Sequence, residues 1–223
     1  MSLEYYFERV GVLSASVFRR NIKNFFGSTV FPSTPEFLAL YDLDPAVYGK
    51  YDVSTQYNVA ATTRMQGLEL NYKQALTFLP DWARGVQVFS NASFLKSTTS
   101  TGDRRANFNG YIPRTVNFGV SLSRDRFNVK FNWNSISRAR SSYFTAGSGI
   151  EENTYTWTPS FILMDLYGEF RLNRNLSLFT NLRNLTNPPK DNQRYGPNTP
   201  NYARNVNRVM TNAAWTIGIK GTF

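Results

Sequence analysis

From Arg208 to Phe223 the chain alternates without a break. Val209, Thr211, Ala213, Trp215, Ile217, Ile219, Gly221 and Phe223 fall on one side of an extended backbone, and Met210, Asn212, Ala214, Thr216, Gly218, Lys220 and Thr222 on the other. A period of two belongs to a strand whose two faces meet different surroundings. The same split sets Phe127, Val129, Phe131 and Trp133 against Asn128, Lys130, Asn132 and Asn134, and Val116, Phe118, Val120 and Leu122 against Asn117, Gly119, Ser121 and Ser123. Opposite Ile162, Met164, Leu166, Gly168 and Phe170 stand Asp165, Tyr167, Glu169 and Arg171, so acid and base lie two residues apart and that face must be wet. Leu68, Leu70 and Tyr72 oppose Glu69, Asn71 and Lys73; Val86, Val88, Ala92 and Phe94 oppose Gln87, Asn91 and Ser93. Weaker alternation sets Leu13, Ala15 and Val17 against Ser14, Ser16 and Arg20, and the stretch Leu3 to Phe7 is weaker still.

This pattern predicts about nine strands, each near the roughly 9 to 11 residues that cross a bilayer at a tilt. The connections predicted at Glu8 to Gly11, Thr77 to Gly85, Arg124-Asp125 and Asn173 to Asn175 are short; those at Gly27 to Gln56, Ser97 to Ile112, Arg138 to Pro159 and Thr186 to Asn207 are long. Short and long alternate, as in an outer-membrane barrel with tight periplasmic turns and large extracellular loops. Aromatic residues at predicted strand ends (Tyr5 to Phe7, Tyr111, Trp157 with Phe161, and Phe223) fit interfacial girdles. The expected fold is all-β: an antiparallel transmembrane β-barrel segment, a meander of strands spanning residues 1–223. A soluble β-sandwich also alternates, but gives no reason for loop lengths to do so.

Composition narrows the function. At 41% hydrophobic and 16% aromatic the chain is expected to fold, yet no run approaches the roughly 20 apolar residues of a membrane-spanning helix. It has no cysteine and no histidine, so the commonest general base, the commonest metal ligand and the best nucleophile are all absent. Neither catalysis nor a cofactor or metal site is expected. The net charge of +10 is scattered rather than clustered, which argues against nucleic acid and suits a lipopolysaccharide or anionic-ligand face. The opening MSLEYYFERVG has no signal-peptide pattern, so an exported barrel would have to begin upstream.

The closing strand from Trp215 to Phe223 resembles the signal read by the outer-membrane barrel-assembly machinery, with Thr216, Gly218 and Phe223 matching and Gly221 standing where an apolar side chain is usual. Arg183-Asn184-Leu185-Thr186-Asn187-Pro188 resembles the asparagine-rich element after the penultimate strand of TonB-dependent receptors. Gly67 to Tyr72, Leu79-Pro80 with Gly85 to Leu95, and Leu3 to Phe7 leading to Val17 through Ile22 resemble further segments of that barrel. The resemblance implies a barrel of about 22 strands around a plug that contacts TonB. This chain would be its C-terminal portion, with the plug and the N-terminal strands absent. It also implies a bacterial outer-membrane location and active uptake of a scarce solute such as a siderophore or glycan. Partners would be outer-membrane lipid and lipopolysaccharide, the plug, the missing barrel strands, the barrel-assembly machinery, and TonB through the plug. A passive porin-like channel and a soluble carbohydrate-binding β-sandwich are the alternatives.

Candidate ligand residues lie in the long loops, since contacts tend to sit on loops carried by a rigid scaffold. They are Tyr41, Tyr48 and Tyr51; Arg104 and Arg105; Tyr143, Phe144, Tyr155 and Trp157; and Arg194, Tyr195, Tyr202 and Arg204. Aromatic rings and guanidinium groups stack on sugars or hold anionic chelates. Glu69, Lys73, Lys130, Asp165, Glu169, Arg171 and Arg183 are expected to face the lumen and the plug, bracing it rather than performing acid–base chemistry. Phe37, Leu38, Leu40 and Tyr41 recur near helical spacing, predicting a short helix in the first long loop.

Overall fold

The computed structural model describes residues 1–8, 10–100, 109–144 and 149–221, so Arg104, Arg105 and Phe223 lie outside the described residues. In chain order the elements are β1 (Ser2–Phe7), β2 (Gly11–Ile22), β3 (Phe26–Pro32), α1 (Pro35–Leu40), α2 (Pro45–Tyr48), β4 (Asp52–Asn58), β5 (Thr63–Ala75), β6 (Val86–Thr99), β7 (Arg114–Ser123) and β8 (Phe127–Ile136). They continue with β9 (Ala139–Phe144), β10 (Thr154–Thr158), β11 (Phe161–Arg171), β12 (Leu176–Arg183), β13 (Lys190–Tyr195), β14 (Asn205–Val209) and β15 (Ala214–Gly221). Among the described residues no helix is long and apolar enough to cross a membrane.

Nine strands form one sheet in the order β1-β2-β5-β6-β7-β8-β11-β12-β15. The loops set apart the strands that skip a number, so the sheet is a meander through the alternating segments, with β1 and β15 as its edges. The pairs β1–β2, β6–β7, β7–β8, β8–β11, β11–β12 and β12–β15 are antiparallel, and their registers carry the sequence alternation across the strands. Leu166 lies opposite Phe131 and Leu182, while Tyr167 lies opposite Lys130 and Asn181. Apolar rows therefore meet apolar rows, and polar meet polar, because opposed residues point the same way.

The apolar rows are not packed into a core. Trp215, Ile217 and Ile219 are 73%, 73% and 67% exposed, and the buried apolar residues among those described are Leu38, Val59, Ala61, Ala83 and Tyr155. A soluble sandwich buries such rows between its two layers, so that alternative fails on this observation.

Contacts divide the chain into two compact units, one built from Met1–Arg19, Gln66–Lys96 and the stretch from Asn109 onward, the other from Arg20–Met65 with the stretch from Ser97. In the second unit β3 and β4 pair from Phe26↔Asn58 to Pro32↔Asp52, so the first long loop is largely a hairpin. Its tip holds the expected helix α1, capped by the Thr34 hydroxyl accepting from the Phe37 N–H at 3.2 Å, and then α2, capped by Asp44. Val59 and Ala61 pack with Phe25 and Tyr57 at the hairpin's base.

Two expectations need correction. The uninterrupted strand from Arg208 to Phe223 is two strands: β14 ends at Val209, Asn212 takes a left-handed backbone (φ +57°), and β15 begins at Ala214. The third and fourth long stretches, predicted as connections between wall strands, carry strands too: β9, β10, β13 and β14 make a four-stranded sheet of their own in the order β14-β13-β10-β9. Trp157 belongs to that sheet and not to an aromatic girdle at a wall-strand end.

Candidate functional site

The four-stranded sheet joins the two loops edge to edge through β10 and β13, where Tyr155 faces Tyr195, Thr156 faces Arg194 and Trp157 faces Gln193. On one face four rings form a chain: Tyr143–Tyr155 at 5.3 Å between centroids, Tyr155–Trp157 at 6.1 Å, and Trp157–Tyr195 at 5.4 Å with planes 15° apart. The alternation of Thr154, Thr156 and Thr158 with the two aromatics of β10 puts Tyr155 and Trp157 on the same side. Guanidinium groups cover the rings. Arg140 lies 4.4 Å from the Tyr155 centroid, Arg138 4.3 Å from Trp157 and Arg204 4.6 Å from Tyr195, while Arg194 covers Phe144 at 4.1 Å. Each such pair contributes about 0.5–1 kcal/mol when exposed and more when desolvated. Arg138 also donates to the Tyr195 hydroxyl at 2.6 Å, tying the third loop to the fourth.

Carboxylates lock this arrangement. Glu151, in the third loop, accepts from the Asn198 N–H at 3.0 Å and from the Thr199 hydroxyl at 2.8 Å in the fourth. The Thr199 bond, with the Asn198 contacts, holds its pKa below the ordinary glutamate value. Asp191 takes a two-pronged bond from Arg208 at 2.7 and 2.8 Å across β13 and β14, which lowers the pKa of the acid and raises that of the arginine.

The structure thus brings together Tyr143, Tyr155, Trp157, Tyr195 and Arg204 from the sequence candidates on one face of the loop sheet, and Phe144 with Arg194 on the other. Tyr202 sits exposed on a short turn of 3₁₀ helix, Asn201–Ala203. Tyr41, Tyr48 and Tyr51 are exposed at the tip of the β3–β4 hairpin, in the second unit, where Tyr41 packs on Phe37 at 5.0 Å and Tyr48 on Tyr51 at 6.3 Å. Sequence reasoning missed Arg138, Arg140 and Glu151. The available signal was the Arg-Ala-Arg spacing just before Tyr143, since residues two apart share a face.

The polar row of the large sheet carries the remaining candidates. Glu69 and Lys73 lie on β5 with Asn71, whose amide donates to the Ser14 hydroxyl at 3.3 Å. Lys130 reaches over the Phe89 ring at 5.1 Å. Glu169 accepts from the Tyr167 hydroxyl at 2.6 Å, and Lys220 Nζ is its nearest cation at 3.8 Å, rather than Arg171. Asp165 accepts the Asn184 N–H at 2.8 Å, and Arg183 pairs with Ala214. Among the described residues no carboxylate group forms a metal-ligating set. Three phenylalanines on this row lie across glycines: Phe18 over Gly67, Phe89 over Gly119 and Phe179 over Gly218.

The family model described as TonB dependent receptor-like, beta-barrel matches residues 2–185. The chain belongs to that family. No curated protein matches it. Among solved structures, this TonB-dependent receptor barrel resembles the copper transporter OprC (15% identity, TM-score 0.61, 100% of this chain and 30% of that one). It also resembles the ferric citrate transporter FecA in the unliganded form (13%, 0.62, 98% and 30%) and a mutant of the ferric enterobactin receptor PfeA from Pseudomonas aeruginosa (16%, 0.60, 100% and 30%). The chain therefore spans about 30% of the length of the receptors it matches. Identity this low speaks for the fold. Membership of the family places the chain in the bacterial outer membrane, as part of a receptor barrel. In this TonB-dependent receptor barrel Thr216 and Gly218, expected from the sequence to belong to an assembly signal, stand on β15 opposite Asn181 and Phe179.

Proposed function

We propose that this chain forms part of the wall and loop vestibule of a TonB-dependent uptake receptor whose solute is an anionic metal chelate. The reading rests on the loop sheet, where Arg138, Arg140 and Arg204, stacked on Trp157, Tyr155 and Tyr195, present N–H groups beside one row of rings. A guanidinium held flat against a ring is already oriented, so less entropy is lost when it takes an anion. Solved relatives named as a ferric citrate transporter and a ferric enterobactin receptor support the same solute class.

In the whole receptor the polar row carrying Lys130, Asp165 and Glu169 faces the lumen and the plug, the apolar rows face lipid and lipopolysaccharide, and further strands complete the wall. TonB acts through the plug, and the closing strand with Thr216, Gly218 and Phe223 is read by the barrel-assembly machinery. Growth of a deletion strain on a panel of metal chelates and carbon sources tests the proposal. Complementation with the full-length receptor should restore one chelate. The Arg138→Ala/Arg140→Ala/Arg204→Ala form, displayed at normal level, should raise the half-saturating concentration by about tenfold per arginine, as expected for charge-assisted bonds of about 1.5 kcal/mol. Unchanged uptake by the triple variant overturns the assignment of the loop sheet.

A further inference from the structure

In the loop sheet β9 is an edge, with β10 along one side of it. On its other side it meets the second long stretch, where the Gly110 N–H donates to the Arg140 carbonyl at 2.9 Å. Arg140 thereby acts in two directions: its carbonyl holds Gly110 while its guanidinium covers the Tyr155 ring at 4.4 Å.

Gly110 follows Asn109, and asparagine precedes glycine nowhere else in the sequence. A glycine nitrogen has no Cβ beside it, so it can approach the carbonyl carbon of the preceding side chain. Gly110 takes a left-handed backbone (φ +85°), and a Cβ built on it would meet nothing within 4 Å, so no neighbour fences the nitrogen off. The Asn109 side-chain oxygen is buried and accepts no hydrogen bond among the described residues, so this carbonyl is not anchored.

Two brakes act on the pair. The proton of the Gly110 nitrogen is engaged by Arg140, and burial keeps water from the Asn109 oxygen, on which negative charge builds when the carbonyl is attacked. Both come off when the second stretch parts from β9.

We propose that Asn109 and Gly110 form a self-modification site that converts to isoaspartate when β9 releases Gly110. The Gly110 nitrogen gives up its proton and attacks Asn109 Cγ; the bond from Cγ to the side-chain nitrogen breaks, and ammonia leaves with that proton, closing a succinimide. Water then opens the ring, giving aspartate when it adds at the side-chain carbonyl and isoaspartate when it adds at the main-chain carbonyl. Water is the only co-reactant. Isoaspartate routes the main chain through the former Cβ and adds a carboxylate, so the bond to Arg140 does not re-form in register. Openings of the β9 edge are therefore recorded in the chain, and the site is independent of the solute.

The test incubates the full-length receptor in detergent, folded or unfolded by urea, at one pH and temperature, with heat-dependent gel mobility reporting the folded state. Trypsin releases the peptide from Ala106 to Arg114, in which isoaspartate is located by mass spectrometry and labelled by an isoaspartate-specific methyltransferase. The folded receptor should react at least about fivefold more slowly than the unfolded one, the factor that one net hydrogen bond supplies. Tyr143→Ala removes the ring that stacks β9 on Tyr155, 5.3 Å between centroids. It should speed the folded reaction about threefold and leave the unfolded rate unchanged. Should that variant fail to fold, the slowing of the reaction in the wild type should match the slowing of hydrogen exchange at the Gly110 amide within about threefold. Asn109→Gln should abolish the signal. The proposal is overturned by equal rates in the folded and unfolded receptor, or by a folded Tyr143→Ala receptor that reacts no faster than wild type. A mismatch with exchange at Gly110, where that is read, or a signal that persists in Asn109→Gln, also overturns it.

Discussion

Gly119 shows how a single missing side chain shapes the polar row. A Cβ there would collide with the Phe89 ring, as one at Gly218 would meet Phe179 at 2.7 Å. Each ring covers the bare backbone of its neighbour, shielding its hydrogen bonds from water. Gly119→Ala should therefore cost about 1–3 kcal/mol through overpacking, read as a lower temperature for the gel-mobility shift of the whole receptor. Glu151 acts at the same scale. Because its pKa lies below the ordinary glutamate value, its hold on Asn198 and Thr199 is fully present above the unfolded-state pKa and fades as pH falls through the lowered one. Proteolysis within residues 196–199 should accelerate on acidification in the wild type, and Glu151→Gln should be fast and flat across the same range.

Among elements, the stretch after β12 is a clasp rather than a loop start. Asn184, in a left-handed conformation (φ +58°), gives its N–H to Asp165 and its side-chain amide to the Thr211 hydroxyl at 3.1 Å and the Asn212 carbonyl at 2.8 Å. Thr186 bonds the Ile162 carbonyl at 2.6 Å, so both feet of the fourth loop are pinned near β11. Asn184→Ala strips these side-chain bonds and should destabilise by about 1–3 kcal/mol, with hydrogen exchange rising at 210–214 before the rest of β15. Alternation made the nine wall strands legible because each divides two solvents. It misled at 208–223, since a period of two runs on through Thr211 and Ala213 while one left-handed Asn212 ends the strand. Of the loop sheet, β10 was readable in Thr-Tyr-Thr-Trp-Thr. β13, Lys-Asp-Asn-Gln-Arg-Tyr, carries no such mark, because its place is set by partners far along the chain.

At the scale of the molecule, the two faces of one strand make opposite predictions. Ile217→Lys places a charge against hydrocarbon and should cost about 2–4 kcal/mol if it lies near the bilayer midplane, whereas Thr216→Lys, one residue away on the polar row, should be nearly silent. Folded yield of the full-length receptor in vesicles separates them, and equal effects would contradict the outward assignment. The loop sheet has a different reach. Its strands come in pairs from two stretches of chain, stitched by Tyr155↔Tyr195 and by Arg138 to Tyr195. A surface under attack by phage or antibodies gains by changing, but an insertion in either stretch shifts its register against the other. Escape variants should therefore arise as matched pairs, and a chimaera that exchanges only one stretch with a relative should lose order in both.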